Sequence, residues 1–220
     1  MQRRLVVSAM SALVLGLGAF SQAYAFQEGQ DWVKLEHPME NAQGTLIKLW
    51  SYACPFCYKF DVGVDPQVMP RIEKEAGLKF KPVHLESKGD YGRVASEVLA
   101  GLELDDEAHG RSIESSDSLF KKAKNAWYVA YHKKQERWSA GEKAFLQTAA
   151  DATGLSTEKL LEMGRTPEAQ ALADEWKKSY EVAKIQGVPA YVVNGKYLIM
   201  TKSIRGFDGF VDLVKELAKK

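Results

Sequence analysis

An α/β fold interrupted by a long helical insertion is the architecture that this sequence predicts. Three observations point to it. A short, almost wholly apolar run passes at once into a helix start over residues 45–63, roughly ninety residues of helical periodicity follow from about residue 90, and a β-hairpin with an amphipathic helix closes the chain at 189–217. Strand and helix thus alternate at both ends of the chain around a central helical block.

The run TLIKLW at 45–50, preceded by turn-forming residues 41–44, suits a buried strand. Residues 51–53 then form a turn, and Pro55 falls just inside the next helix, where a missing N–H costs nothing. Gly63 ends or bends that helix, Asp65 and Pro66 read as a fresh N-cap and first position, and Gly77 closes the second helix. Residues 79–87 make an imperfect strand. In the helical block, Val94, Val98 and Leu102 share one face and Phe145, Leu146 and Ala149 another. Thr166-Pro167-Glu168 is a helix start, from which Leu172, Trp176, Tyr180 and Ala183 continue one apolar stripe; Trp176 and Tyr180 are assigned to packing. The aromatic group Trp127, Tyr128, Tyr131 and Trp138 fits a helix packed between neighbours. At the end, 189–193 and 196–200 are β-prone runs joined by Asn194-Gly195, a type I′ turn signal, and Phe210, Val211, Val214 and Leu217 line the last helix.

The start of the chain reads as a secretory signal. Arg3 and Arg4 precede an uncharged run over 5–20, and Ala23-Tyr24-Ala25 has the form of a cleavage site, so the mature chain is expected to begin at Phe26 in the periplasm, an oxidising space. The apolar run is shorter than the ~20 residues a membrane span needs. A formal net charge of +1 over 220 residues argues neither for nucleic acid nor for membrane binding. No amphipathic helix shows a leftover apolar face, so a monomer is expected.

The chain has 2 cysteines, both in Cys54-Pro55-Phe56-Cys57. A bridge closed over two residues constrains the unfolded chain little, so it is a poor staple. As a redox pair it makes sense: a cysteine that opens a helix meets unpaired N–H groups and the positive end of the helix dipole, which favour its thiolate. The second cysteine, one turn on, is close enough to close the ring. The Cys54 thiol is therefore expected to titrate well below the ordinary value of about 8.5.

The element order, together with SYACPFCYKF at 51–60, HLESKGDYG at 84–92 and AKIQGVPAYVVNGKYLIMTKSI at 183–204, resembles the DsbA family of periplasmic thiol:disulfide oxidoreductases, in its branch called DsbL. The resemblance implies a thioredoxin fold with an inserted all-helical domain, divided as 26–88, 89–175 and 176–220. It implies Cys54 as the exposed nucleophile, Cys57 as the buried resolving partner, and Pro189 as a cis-proline facing the pair, with the Val188 backbone open to an extended substrate and Gly187 allowing tight approach. No cofactor is implied. The partners implied are reduced, unfolded exported proteins, among them an arylsulfate sulfotransferase, and a DsbB/DsbI-like quinone reductase of the inner membrane that restores the disulfide.

Two positions depart from the family pattern. Lys48 stands where a DsbA would carry a buried glutamate; it either favours the nearby Cys54 thiolate by Coulomb attraction or points to the surface. Phe56 replaces a histidine between the cysteines and offers substrate an apolar contact. Pro55, Phe56 and Lys48 are thus the expected redox-tuning residues. Lys59, Lys184, Lys196, Lys202 and Arg205 are expected near the CxxC end, where they favour the thiolate and a substrate with acidic surroundings. Three other readings remain open: a disulfide isomerase or reductase; a metal site joining the cysteines to His37, His84, His109 or His132; and a periplasmic holdase whose cysteines are incidental.

Overall fold

The computed structural model describes residues 25–220; the export signal read over 1–25 lies, apart from Ala25, outside the described residues. Five strands, β1 (Trp32–Lys34), β2 (Thr45–Trp50), β3 (Lys79–His84), β4 (Ala190–Val193) and β5 (Tyr197–Ile199), form one sheet in the order β1-β5-β4-β2-β3. Only β2 and β3 are parallel; the other neighbours run antiparallel. Two helices, α1 (Pro55–Gly63) and α2 (Asp65–Ala76), make the crossover between the parallel strands. Six more follow β3: α3 (Gly92–Ala108), α4 (Leu119–His132), α5 (Glu142–Thr153), α6 (Thr157–Gly164), α7 (Pro167–Lys178) and α8 (Tyr180–Gln186). After the β4–β5 hairpin, α9 (Gly206–Ala218) returns to the sheet.

The interior strand β2 is buried on both faces, which explains why TLIKLW reads as an apolar run rather than an alternation. Ile47 and Leu49 pack with Val192 and the helical insertion; Leu46 packs with Phe80, Tyr191 and Val193 against α2 and α9. Two cores therefore share one sheet. The hairpin turn is as expected: Asn194 and Gly195 have φ of 53° and 68°, and the Lys196 N–H donates to the Val193 carbonyl at 2.9 Å.

Several expectations need correction. The strand β1, whose three residues are too few to show a periodicity, is a short edge paired with β5 that the sequence reading does not contain. The N-cap of α2 is Val64, and Asp65 is already helical, its carboxylate being engaged by Lys48 and Tyr191 instead of by a backbone amide. The stripe through Trp176 and Tyr180 is broken between α7 and α8, so Trp176 is buried at 1 % exposure whereas Tyr180 is 44 % exposed.

Within the insertion α3 packs against α4, α6 and α7, and it meets α6 through a pair of glycines. A Cβ at Gly101 would lie 2.6 Å from the Met163 backbone, and one at Gly164 would lie 2.9 Å from Glu97. Gly101→Ala is accordingly expected to destabilise the fold by about 2 kcal/mol in denaturant titration, through overpacking against backbone. At an open helical site the same exchange would stabilise by about 1 kcal/mol.

Candidate active site

Strand direction assembles the site. β2 runs toward Trp50, the turn 51–53 follows, and Cys54 becomes the N-cap of α1 with Pro55 in the first turn. Because β4 is antiparallel to β2, with Ala190 opposite Leu49, its leading loop arrives at the same end. That loop is Gly187-Val188-Pro189, and the Val188–Pro189 peptide bond is cis. The Val188 carbonyl lies 3.4 Å from Cys54 Sγ and accepts from the thiol. Gly187 has φ +84°, with nothing within 4 Å of where a Cβ would stand. The residue type is thus required by backbone conformation, not by the tight approach expected.

Both cysteines are free thiols. Cys54 Sγ accepts the Cys57 backbone N–H at 3.3 Å, the capping interaction of α1. The side-chain hydrogen bond from Cys57 is the largest influence on the Cys54 thiol; burial opposes it, and the Cys57 and Phe56 amides and the Lys88 ammonium add to it, bringing the pKa down to about 6. Burial pushes Cys57 the other way, well above an ordinary thiol, and the hydrogen bond to Cys54 reinforces the shift. One sulfur is thereby set up to carry charge and its neighbour to hold a proton. Cys54, expected to be exposed, is only 3 % exposed, with the Val188 carbonyl against its sulfur; Phe56, between the cysteines, is 61 % exposed.

Lys48 does not reach the surface. It is 2 % exposed and faces the α1–α2 side of the sheet, paired with Asp65 and with Asp61 at 3.6 Å. Asp65 also accepts from Tyr191 at 2.6 Å, and Asp61 pairs with Lys124 of α4. Burial disfavours the Lys48 charge, but Asp65 and Asp61 outweigh it and hold the pKa above the ordinary lysine value. The sulfur on which Lys48 acts is Cys57, whose pKa it lowers; it is not among the principal influences on Cys54, contrary to expectation. Two cations and two anions alternate through this chain, from Lys124 of α4 through Asp61 and Lys48 to Asp65 of α2.

The expected lysines separate. Lys59 lies 5.5 Å from the Phe56 ring, beside the pair. Lys184 is on α8 just ahead of the Pro189 loop, with its ammonium held by Glu181 at 2.7 Å. Lys196 sits in the β4–β5 turn, at the end of the sheet opposite the cysteines, where Asn194 N–H donates to Thr45. It is no part of this site, since antiparallel pairing carries the hairpin turn away from the strand start. Arg205 comes within 3.9 Å of Asp31. The cation missed is Lys88, which lies in HLESKGDYG and adds to the favourable charge at Cys54, its loop being held to the turn by Ser51, whose hydroxyl donates to the Lys88 carbonyl at 3.3 Å. Among the described residues no three His, Cys, Asp or Glu side chains stand close enough to hold a metal ion, and His84 is buried against Ser96.

Residues 111–217 match the family model described as DSBA-like thioredoxin domain. The thiol:disulfide interchange protein DsbL of Escherichia coli O6:H1 is 51 % identical over 210 residues, 94 % of each chain, and DsbL of Lelliottia amnigena is 53 % identical over 201 residues. The crystal structure of DsbL from Salmonella enterica serovar Typhimurium superposes with a TM-score of 0.83 at 51 % identity, covering 90 % of this chain and all of that one. The DsbA structure from Proteus mirabilis, at 21 % identity and a TM-score of 0.69, shares the fold. With a helix-capping thiol, a proton-holding partner one turn on and relatives of this kind over nearly its whole length, the chain belongs to the DsbA family of thiol:disulfide oxidoreductases, in its DsbL branch.

Proposed function

We propose that the protein is a dithiol oxidase of the periplasm that donates a Cys54–Cys57 disulfide to reduced exported proteins. The observation that carries this reading is Cys54 Sγ at the N-terminus of α1, accepting the Cys57 amide while its thiol is drawn down to about 6. Every interaction that stabilises the thiolate stabilises the reduced pair, and so makes the disulfide more oxidising. In the forward reaction a substrate thiolate attacks Cys54 Sγ, the bond to Cys57 breaks, and Cys57 leaves with the electron pair and takes up a proton. A second substrate thiolate then attacks the substrate sulfur of the mixed disulfide and expels Cys54 as thiolate. The substrate loses two electrons, which the protein must pass on; the reading assigns that step to a DsbB/DsbI-like quinone reductase of the inner membrane.

Phe56, Lys59 and Lys88 support a substrate with apolar and acidic character near its cysteine, an arylsulfate sulfotransferase being the candidate that the DsbL likeness suggests. In this reading the Val188 backbone, beside Cys54, pairs with an extended substrate segment. The parts 26–88 and 176–220 carry the pair and its facing loop, and 89–175 is the insertion, with α7 running across the second boundary.

Three outcomes test the reading. Thiolate absorbance should titrate near pH 6 in the dithiol protein and vanish in Cys54→Ser, which should also lose the oxidation of a reduced peptide. A folded pKa lowered to about 6 from the ordinary value of about 8.5 gives the dithiol form stability that is complete above that ordinary value and is lost as pH falls through 6. The dithiol form should therefore melt above the disulfide form at neutral pH, and the gap should close as the pH is taken below 6; a disulfide form that melts higher throughout would sink the assignment as oxidase. Lys48→Met should leave the Cys54 titration nearly in place while costing about 3 to 5 kcal/mol of stability in denaturant unfolding, because Asp65 stays buried without its cation.

A further inference from the structure

The two peptide groups that flank Tyr52, in the turn that leads to Cys54, are each bound by an imidazole. The Tyr52 N–H donates to His84 Nε2 at 3.3 Å. The Tyr52 carbonyl lies 2.8 Å from His132 Nε2. A backbone N–H can only donate and a carbonyl can only accept, so the tautomers follow: His84 carries its proton on Nδ1, which lies 2.8 Å from Ser96 Oγ, and His132 carries one on Nε2. His84 is the last residue of β3 and fully buried; His132 is the last residue of α4, in the helical insertion.

The rest of Tyr52 is gripped as firmly. Its phenol oxygen accepts the Tyr91 N–H at 3.1 Å, and its ring stacks on His84 and packs against Trp138 and Phe145. His132 itself lies flat on Tyr58 of α1, with ring centroids 4.9 Å apart. It thus touches both sides of the cysteine pair: the turn that leads into Cys54 and the helix that Cys54 caps.

We infer that His132 is a positioning residue for Cys54, its Nε2–H holding the Tyr52 carbonyl so that the helical insertion, and not the strand–helix turn alone, sets where the sulfur that exchanges with substrate lies. The effect differs between redox states. In the disulfide form the S–S bond itself fixes Cys54 against Cys57. In the dithiol form the sulfur is aligned on the Cys57 amide only by hydrogen bonds and by the placement of the turn. Losing the His132 donor therefore harms the thiolate more than the disulfide, and the disulfide becomes a weaker oxidant.

This rests on Cys54 being the sulfur that substrate attacks, and the experiment separates the two. His132→Phe keeps a flat ring for Tyr58 without the donor; His132→Gln places an N–H close to where Nε2 stood. Each is compared with the parent in equilibrium with glutathione, in thiolate absorbance against pH, and in melting of both redox forms. His132→Phe should lower the equilibrium constant for oxidation of glutathione about threefold to tenfold, the worth of one hydrogen bond, with a matching rise in the Cys54 pKa. It should lower the melting point of the dithiol form more than that of the disulfide form, and His132→Gln should recover most of the loss. If His132→Phe lowers both melting points alike and leaves the glutathione equilibrium unchanged, the residue only packs and the inference is wrong. If the equilibrium shifts but Gln recovers nothing, the hydrogen bond is not the cause and the inference is equally overturned. A parent protein with no low thiol pKa would instead count against the proposed oxidase.

Discussion

The hydrogen bond from the Cys57 amide to Cys54 Sγ is the interaction around which the site is built. A helix begins with amides that have no partner inside it, and a sulfur placed as N-cap satisfies one of them while gaining from the dipole behind it. Position therefore makes the two thiols of one short motif unequal. Cys54 is aligned on amide donors and favoured by the charge of Lys88; Cys57, one turn inside, is fully buried. Charge and proton separate along a single helical turn, which is the asymmetry that thiol–disulfide exchange requires.

Holding that turn in place takes more than local structure. Beneath α1 the chain Lys124–Asp61–Lys48–Asp65–Tyr191 links the insertion, the cysteine helix, β2, α2 and β4. Isolated, any of these charges would be costly to bury; alternating, they neutralise one another. A lysine on β2 is tolerated because α1 and α2 each turn an aspartate toward it. On the other side of the sheet, the aromatic cluster of Tyr52, Tyr91, Trp127, Trp138 and Phe145 fastens the turn to the insertion, with Trp127 stacked on Phe145 at 4.4 Å between centroids. The insertion is thus part of the apparatus that positions the sulfur.

Much of the architecture was legible where local physics decides it. TLIKLW needed two covered faces, Cys54-Pro55 needed a helix start, and Asn194-Gly195 needed a left-handed turn; each formed as read. The misreadings lie where partners remote in sequence take over. Asp65 looked like a cap because capping is what a local carboxylate does, yet Lys48 and Tyr191 claim it from 17 and 126 residues away. Tyr180 looked like core because the stripe continued in register, and a break after α7 turned it outward. Lys196 is expected near the CxxC end with the other basic residues, but β4 carries its turn to the far end of the sheet.

The sequence by itself determined the alternation of elements, the capping cysteine with its partner one turn on, and the likeness to the DsbA family, because periodicity, caps and turn chemistry act over a few residues. Only the tertiary structure decided which charges meet. Lys48 turns out to belong to Asp65 and to Cys57, Lys88 to Cys54, and the two imidazoles to the backbone of Tyr52. Coulomb attraction and hydrogen bonding depend on distance through space, and strand pairing and helix packing set that distance with no local signature in the chain.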